Sequence, residues 1–149
     1  MSTSRRKAVT ISGECLMYMS FASDITGVAP VDCIIDEESN SIIFLVPEGT
    51  AGKFVGRGGR NVRRLSKVLG KRIEVVEMSN DLKSMVQNIF LQAHVLSTML
   101  RVTANGSKIL HVRVRPEDRG LAIGKNGRNV RKATLILSRH FGIDRVVIE

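Results

Sequence analysis

Aromatic residues are scarce, with no tryptophan, one tyrosine and five phenylalanines in 149 residues. A surface that grips its ligand by stacking on several exposed rings therefore has little to be built from. Phe44, Phe54, Phe90 and Phe141 all stand in apolar surroundings that suit a core. Cysteine is nearly missing too. Cys15 and Cys33 are too far apart for a C-x-x-C clip, so no structural disulfide is expected and the setting is a reducing, intracellular one. His94, His111 and His140 have no second ligand three or four residues away, so neither a metal nor a cofactor is expected. No segment approaches the roughly 20 apolar residues of a membrane span. Arg5, Arg6 and Lys7 ahead of the run CLMYMSFA (15–22) imitate the order of a secretory signal, but Glu14 interrupts it and the run reads as the face of a core helix.

Positive charge is abundant. Lysine and arginine number 23 against 14 acidic residues, a formal net charge of +9, which points to a polyanion such as a nucleic acid or, less specifically, an anionic membrane surface. An apolar fraction of 43% suffices for one ordinary domain or two small ones. The charge is also unevenly placed. Residues 53–72 hold eight basic side chains and no acidic one, where a merely solvated helix would mix signs.

Within that stretch lies VGRGGRNVRR (55–64), and IGKNGRNVRK (123–132) repeats it 68 positions later. Each copy holds G-x-x-G: Gly56, Arg57, Gly58 and Gly59 in the first, Gly124, Lys125, Asn126 and Gly127 in the second. A glycine-rich turn feeding a helix lets a phosphate approach unpaired backbone N–H groups and the positive end of the helix dipole. Arg60, Arg63, Arg64 and Lys67, and then Arg128, Arg131 and Lys132, place cations beside the loops. A Walker A loop would need G-K-[ST] and a dinucleotide fingerprint would need glycine at Asn61, so neither nucleotide motif is met and no enzyme is indicated. One such loop alone could equally be a tight turn between helices; its duplication with the trailing R-N-V-R favours a shared ligand. Val55, Val62, Ile123 and Val130 could line an aliphatic groove for bases or simply pack in the core.

The pattern along the chain is also duplicated. Residues 14–25 read as a helix, 31–36 and 41–46 as a hairpin of strands, 47–54 as a short segment before the loop, 59–69 as a helix with Val62, Leu65 and Leu69 on one face, and 73–77 as a strand. Ser79, Asn80 and Asp81 offer caps for the next helix, read over 85–96; strands follow at 99–104 and 108–114 around the turn Asn105-Gly106-Ser107. Pro116 opens another pre-loop helix, 127–141 is a helix with Val130, Ala133 and Leu137 inward, and RVVIE closes as a strand.

The segments VGRGGRNVRRLSKVLGKRIEVVE and LAIGKNGRNVRKATLILSRHFGIDRVVIE resemble K-homology (KH) modules, whose G-x-x-G loop clamps the backbone of single-stranded nucleic acid. The element order resembles their type II variant. The implied fold is α/β of the α+β kind: two tandem type II KH domains, each α-β-β-α-α-β with a three-stranded sheet packed against helices, over residues 11–78 and 79–149, joined as one rigid unit behind a basic tail at 1–10. With DITGVAPVDCII and NIFLQAHV included, residues 11–149 resemble the short archaeal NusA-like tandem KH factors of transcription elongation and termination. That resemblance implies single-stranded RNA held by Gly56, Arg57, Gly58, Gly59, Arg60, Asn61 and Arg63, and by Gly124, Lys125, Asn126, Gly127, Arg128, Asn129 and Arg131. It also implies no catalysis and no membrane, with RNA polymerase or ribosome-associated complexes as further partners. Glycine at position 58, where the family has a polar or basic tip residue, implies a less specific grip by the first loop. The alternative is a scaffold that docks on ribosomal or other folded RNA.

Overall fold

The computed structural model describes residues 11–149; the basic tail expected at 1–10 lies outside the described residues. Two compact units divide between Asp81 and Leu82. The first runs α1 (Gly13–Thr26), β1 (Asp32–Asp36), β2 (Ser41–Val46), α2 (Ala51–Val55), a 3-10 turn (Arg57–Gly59), α3 (Arg60–Leu69) and β3 (Arg72–Glu77). The second repeats the order with α4 (Leu82–Ile89), β4 (Val95–Val102), β5 (Lys108–Val114), α5 (Arg119–Ile123), a 3-10 turn (Lys125–Gly127), α6 (Arg128–Phe141) and β6 (Arg145–Ile148), with a further 3-10 turn (Pro116–Asp118) ahead of α5. This is the expected mixed α/β fold of two three-stranded sheets with helices.

Each sheet puts its second strand in the middle, antiparallel to the first and parallel to the third. A parallel pair needs a long crossover. In the first unit that crossover is α2, the glycine turn and α3, so the sheet holds both ends of the segment that carries the loop. Ile42, Phe44 and Val46 of β2 meet Ala22 of α1, Phe54 of α2 and Leu65 of α3 in one core. The rings of Phe44 and Phe54 lie 5.5 Å apart at 48°, and each of these buried side chains contributes roughly 1.5–3 kcal/mol by leaving water.

Helix α1 starts where Ser12 Oγ accepts the N–H of Cys15 at 3.1 Å and stops at Gly27, whose left-handed φ of 74° lets its N–H reach Ser23 O. Its run 15–22 is only partly a core face. Cys15 and Ala22 are buried, with Tyr18, Met19 and Ile25 packed beside them, whereas Leu16 and Met17 are exposed because they fall off that 3.6-residue stripe. Both cysteines are free thiols, and Cys15 Sγ donates to Cys33 O at 3.2 Å.

The boundaries of α4 and β4 differ most from the sequence reading. The helix expected over 85–96 ends at Ile89, where Phe90 and Ala93 bury their side chains in a turn. The strand expected over 99–104 starts earlier and ends earlier, because Val95 already pairs with Val114 across the sheet and the chain turns at Thr103. Local apolar spacing favoured continuing the helix, and pairing with β5 overrode it. Phe141 is half-buried rather than a core residue, unlike Phe44, Phe54 and Phe90.

Asp118 ties the start of β4 to the segment ahead of α5. Its Oδ2 accepts the N–H of His94 at 2.9 Å and Arg115 Nε at 3.1 Å. The His94 bond first, then the guanidinium, hold this carboxyl below its ordinary value of 3.8, against the opposing effect of burial. A depressed folded-state value contributes stability above the unfolded one, and that stability is lost as pH falls through the folded one. Asp118→Asn is therefore expected to lower the thermal midpoint near neutral pH and to converge with wild type well below 3.8; a gap that stays constant across that range would refute the assignment.

Candidate nucleic-acid interface

The two glycine turns are the same object built twice. Gly56 leaves α2 at φ 80°, ψ 164° and Gly124 leaves α5 at φ 78°, ψ 166°, a region open essentially to glycine alone. The third position is left-handed in both, Gly58 at φ 62° and Asn126 at φ 57°, and so is the fourth, Gly59 at φ 78° and Gly127 at φ 72°. Glycine and asparagine are the residues that tolerate this conformation best, so the smaller residue at 58 meets the same backbone demand as Asn126.

Hydrogen bonds within each turn decide which amides are left over. Gly56 N–H donates to Gly52 O at 3.0 Å, Gly59 to Gly56 O at 3.0 Å, and Arg60 to Arg57 O. Gly124, Gly127 and Arg128 repeat these bonds with Gly120, Gly124 and Lys125. The N–H groups of Arg57 and Gly58, and of Lys125 and Asn126, take part in none of them. The amides on offer therefore sit at the exposed loop tips, one turn ahead of the helix starts that the sequence pointed to.

Asn61 and Asn129, expected among the ligand-holding residues, have an internal task. Asn61 Nδ2 donates to Lys53 O at 3.2 Å and Asn129 Nδ2 to Leu121 O at 2.7 Å, which clips each long helix to the short one before it. They lie against the first glycine: a Cβ at Gly56 would stand 2.8 Å from Asn61 Cγ, and one at Gly124 2.9 Å from Asn129 N. The repeated letter was visible in the sequence, but its partner, a carbonyl eight residues earlier, was not. Arg63 also turns inward, its Nη1 donating to Gly58 O.

Apart from the bond of Arg63 to Gly58 O, the cations around the first loop are uncommitted among the described residues. Among the described residues, Arg57, Arg60, Arg63, Arg64 and Lys67 are exposed and take no ion-pair partner, and Arg63, Arg64, Ser66 and Lys67 line an open depression on α3. In the second copy Lys125 is exposed and Arg128 and Arg131 half-buried, while Lys132 is buried and does not extend the stripe. Val55, Val62, Ile123 and Val130 are half-buried beside the loops, with Val62 also packed against the first core. Among the described residues no cluster of His, Cys, Asp and Glu is placed to hold a metal, and no helix is long and apolar enough to cross a membrane.

Comparison with known proteins agrees with this geometry. A KH-domain profile matches residues 16–97 and a profile of the NusA-like second KH domain matches residues 82–147. The probable transcription termination protein NusA of Methanococcus vannielii is 31% identical over 94% of this chain and 79% of its own length. That of Halococcus morrhuae is 30% identical over 93% and 96%. The crystal structure of APE1850 superposes with a TM-score of 0.87 at 47% identity, covering 93% of this chain and all of that one.

The two outer glycines of a loop are expected to fail differently. Gly127→Ala meets nothing within 4 Å but must hold φ 72°, a cost of about 1–2 kcal/mol. Gly124→Ala adds a clash with the Asn129 backbone and should lose more stability in urea unfolding. Equal losses at the two positions would show that the packing against Asn129 is slack.

Proposed function

We infer the function from one premise: the chain belongs to the KH family, in its NusA-like branch. It is an RNA-binding factor of transcription termination and elongation control, and its family is one of RNA-binding proteins rather than an enzyme class. Our finer reading is that each domain, taken as residues 11–78 and 79–149, contributes one loop to the same single-stranded RNA. The tip amides of Arg57, Gly58, Lys125 and Asn126 receive phosphates there. Arg60, Arg63, Arg128 and Arg131 neutralise neighbouring phosphates. Gly56, Gly59, Gly124, Gly127, Asn61 and Asn129 hold the turns in shape. The observation that carries this reading is the duplicated turn whose tip N–H groups, among the described residues, are unused, beside cations of the first copy that have no acidic partner there.

The half-buried valines and isoleucine beside the loops suit a groove for bases better than a stacking platform, since rings are too few. The setting we assign is the cytoplasm, beside RNA polymerase, where a factor of this family meets the transcript. No observation favours a scaffold on folded ribosomal RNA.

The test uses the full chain and a labelled unstructured RNA. Arg57→Asp with Gly58→Asp, and Lys125→Asp with Asn126→Asp, change exposed tips and leave the Asn61 and Asn129 clips alone. Each pair is expected to weaken binding at least about tenfold, roughly 1.4 kcal/mol, and both pairs together to weaken it far more than either. Each lost phosphate contact should reduce the slope of log affinity against log salt by about 0.7. Unchanged affinity in the four-residue variant, or stronger binding to duplex than to single strands, would overturn the reading.

A further inference from the structure

Among the described residues, strand β4 is an edge strand with no guard suited to its length, and it pairs only with β5. The hairpin closes with Thr103 N–H donating to Ser107 O at 2.8 Å. That bond puts the odd-numbered residues of β4 in hydrogen-bonded pairs with β5, so by the alternation of an antiparallel ladder Thr98, Leu100 and Val102 turn their N–H and C=O groups away from the sheet. The corresponding strand of the first unit, β1, is buried along nearly its whole length. By contrast Leu96, Met99, Leu100 and Val102 are 45–59% exposed. Edge strands are ordinarily blunted by proline, repeated charge or shortness. Here the run VLSTMLRV has one charge, Arg101, no proline, and a single irregularity between Val95 and Ser97.

The sheet face beside this edge is cationic. Opposite the face of buried Leu110, Val112 and Val114, the register sets Arg101, Ile109 and Arg145 in one row across the three strands and Met99, His111 and Val147 in the next, with Arg113 beside Ser97. Arg101, Arg113 and Arg145 are exposed and, among the described residues, have no ion-pair partner. Acidic groups near these rows are Asp144, whose Oδ2 accepts the Lys108 N–H at 2.8 Å, and Glu149, whose Oε1 lies 3.2 Å from His111 Nδ1.

We propose that β4 receives an extended segment of another protein as a fourth strand, a segment in which acidic residues alternate with apolar ones. The open N–H and C=O groups supply main-chain bonds, the arginine rows select acids at every second position, and Leu100 and Val102 meet the apolar positions between them. Charge decides against a second copy of this chain, which would bring its own +9 and the same arginines to the contact. Nucleic acid suits the face less, because no Phe, Tyr or Trp stands in these rows and large aliphatic side chains line the edge.

The probe is an acetylated, amidated octapeptide of four Val-Glu repeats, titrated into the full chain and followed by amide resonances. Shifts confined to residues 96–102 and their β5 neighbours are expected, with at least tenfold weaker binding of the Val-Lys counterpart. Leu100→Pro removes an outward N–H without breaking the β4–β5 ladder, and Arg101→Glu with Arg113→Glu reverses the charge without touching the backbone. Either variant should reduce peptide affinity at least tenfold while RNA affinity stays within about threefold. The proposal is overturned by no binding, by shifts elsewhere, by equal binding of the lysine peptide, by RNA moving these same resonances, or by a dimer that Leu100→Pro abolishes.

Discussion

The side-chain amide of Asn61, and of Asn129 in the second copy, occupies the space that a Cβ on the first loop glycine would need. Much of the proposed binding surface depends on this contact. The amide reaches the carbonyl of Lys53 or Leu121 only because the glycine lets the backbone pass so close, and that bond sets the short helix against the long one. The turn between them then presents two tip N–H groups while its other amides are spent on closing it. A rigid turn loses little entropy when a phosphate arrives, which is how a small loop can hold a flexible strand.

The sheet supplies the second constraint. Because β2 and β3 run parallel, as do β5 and β6, the chain must cross the layer between them. Both helices of that crossover are anchored by strands, so the loop is displayed from a fixed frame. Phe54 of α2 and Leu65 of α3 pack on the same side of β2 and lock that frame. Charge then adds a field: the cations of α3 lack acidic neighbours, a self-repulsion tolerated where a polyanion will neutralise it.

The duplicated units differ most at their first helices and strands. Helix α1 has 14 residues and covers β1, whereas α4 has 8 and leaves β4 open. The two copies thus share a loop and diverge in what the rest of each unit shows to solvent. Loop and edge strand would answer to different chemistry, phosphate in the proposed function and a protein backbone in the further proposal.

The loop was legible in the sequence because its requirements are local: positive φ calls for glycine or asparagine, and phosphate calls for nearby cations, both written as residue types at short spacing. The element order was legible for the same reason, since period and punctuation repeat 68 positions apart. Partners distant along the chain were not legible. Which carbonyl Asn61 would take, that Arg63 would turn back to Gly58, that Lys132 would be buried, and that pairing with Val114 would end α4 early all depend on what the fold brings alongside. The amino-acid order by itself determined two phosphate-ready turns in a repeated α/β frame. Tertiary structure alone decided which donors stay free and which edge stays open, because hydrogen bonds and burial are settled between segments and not within them.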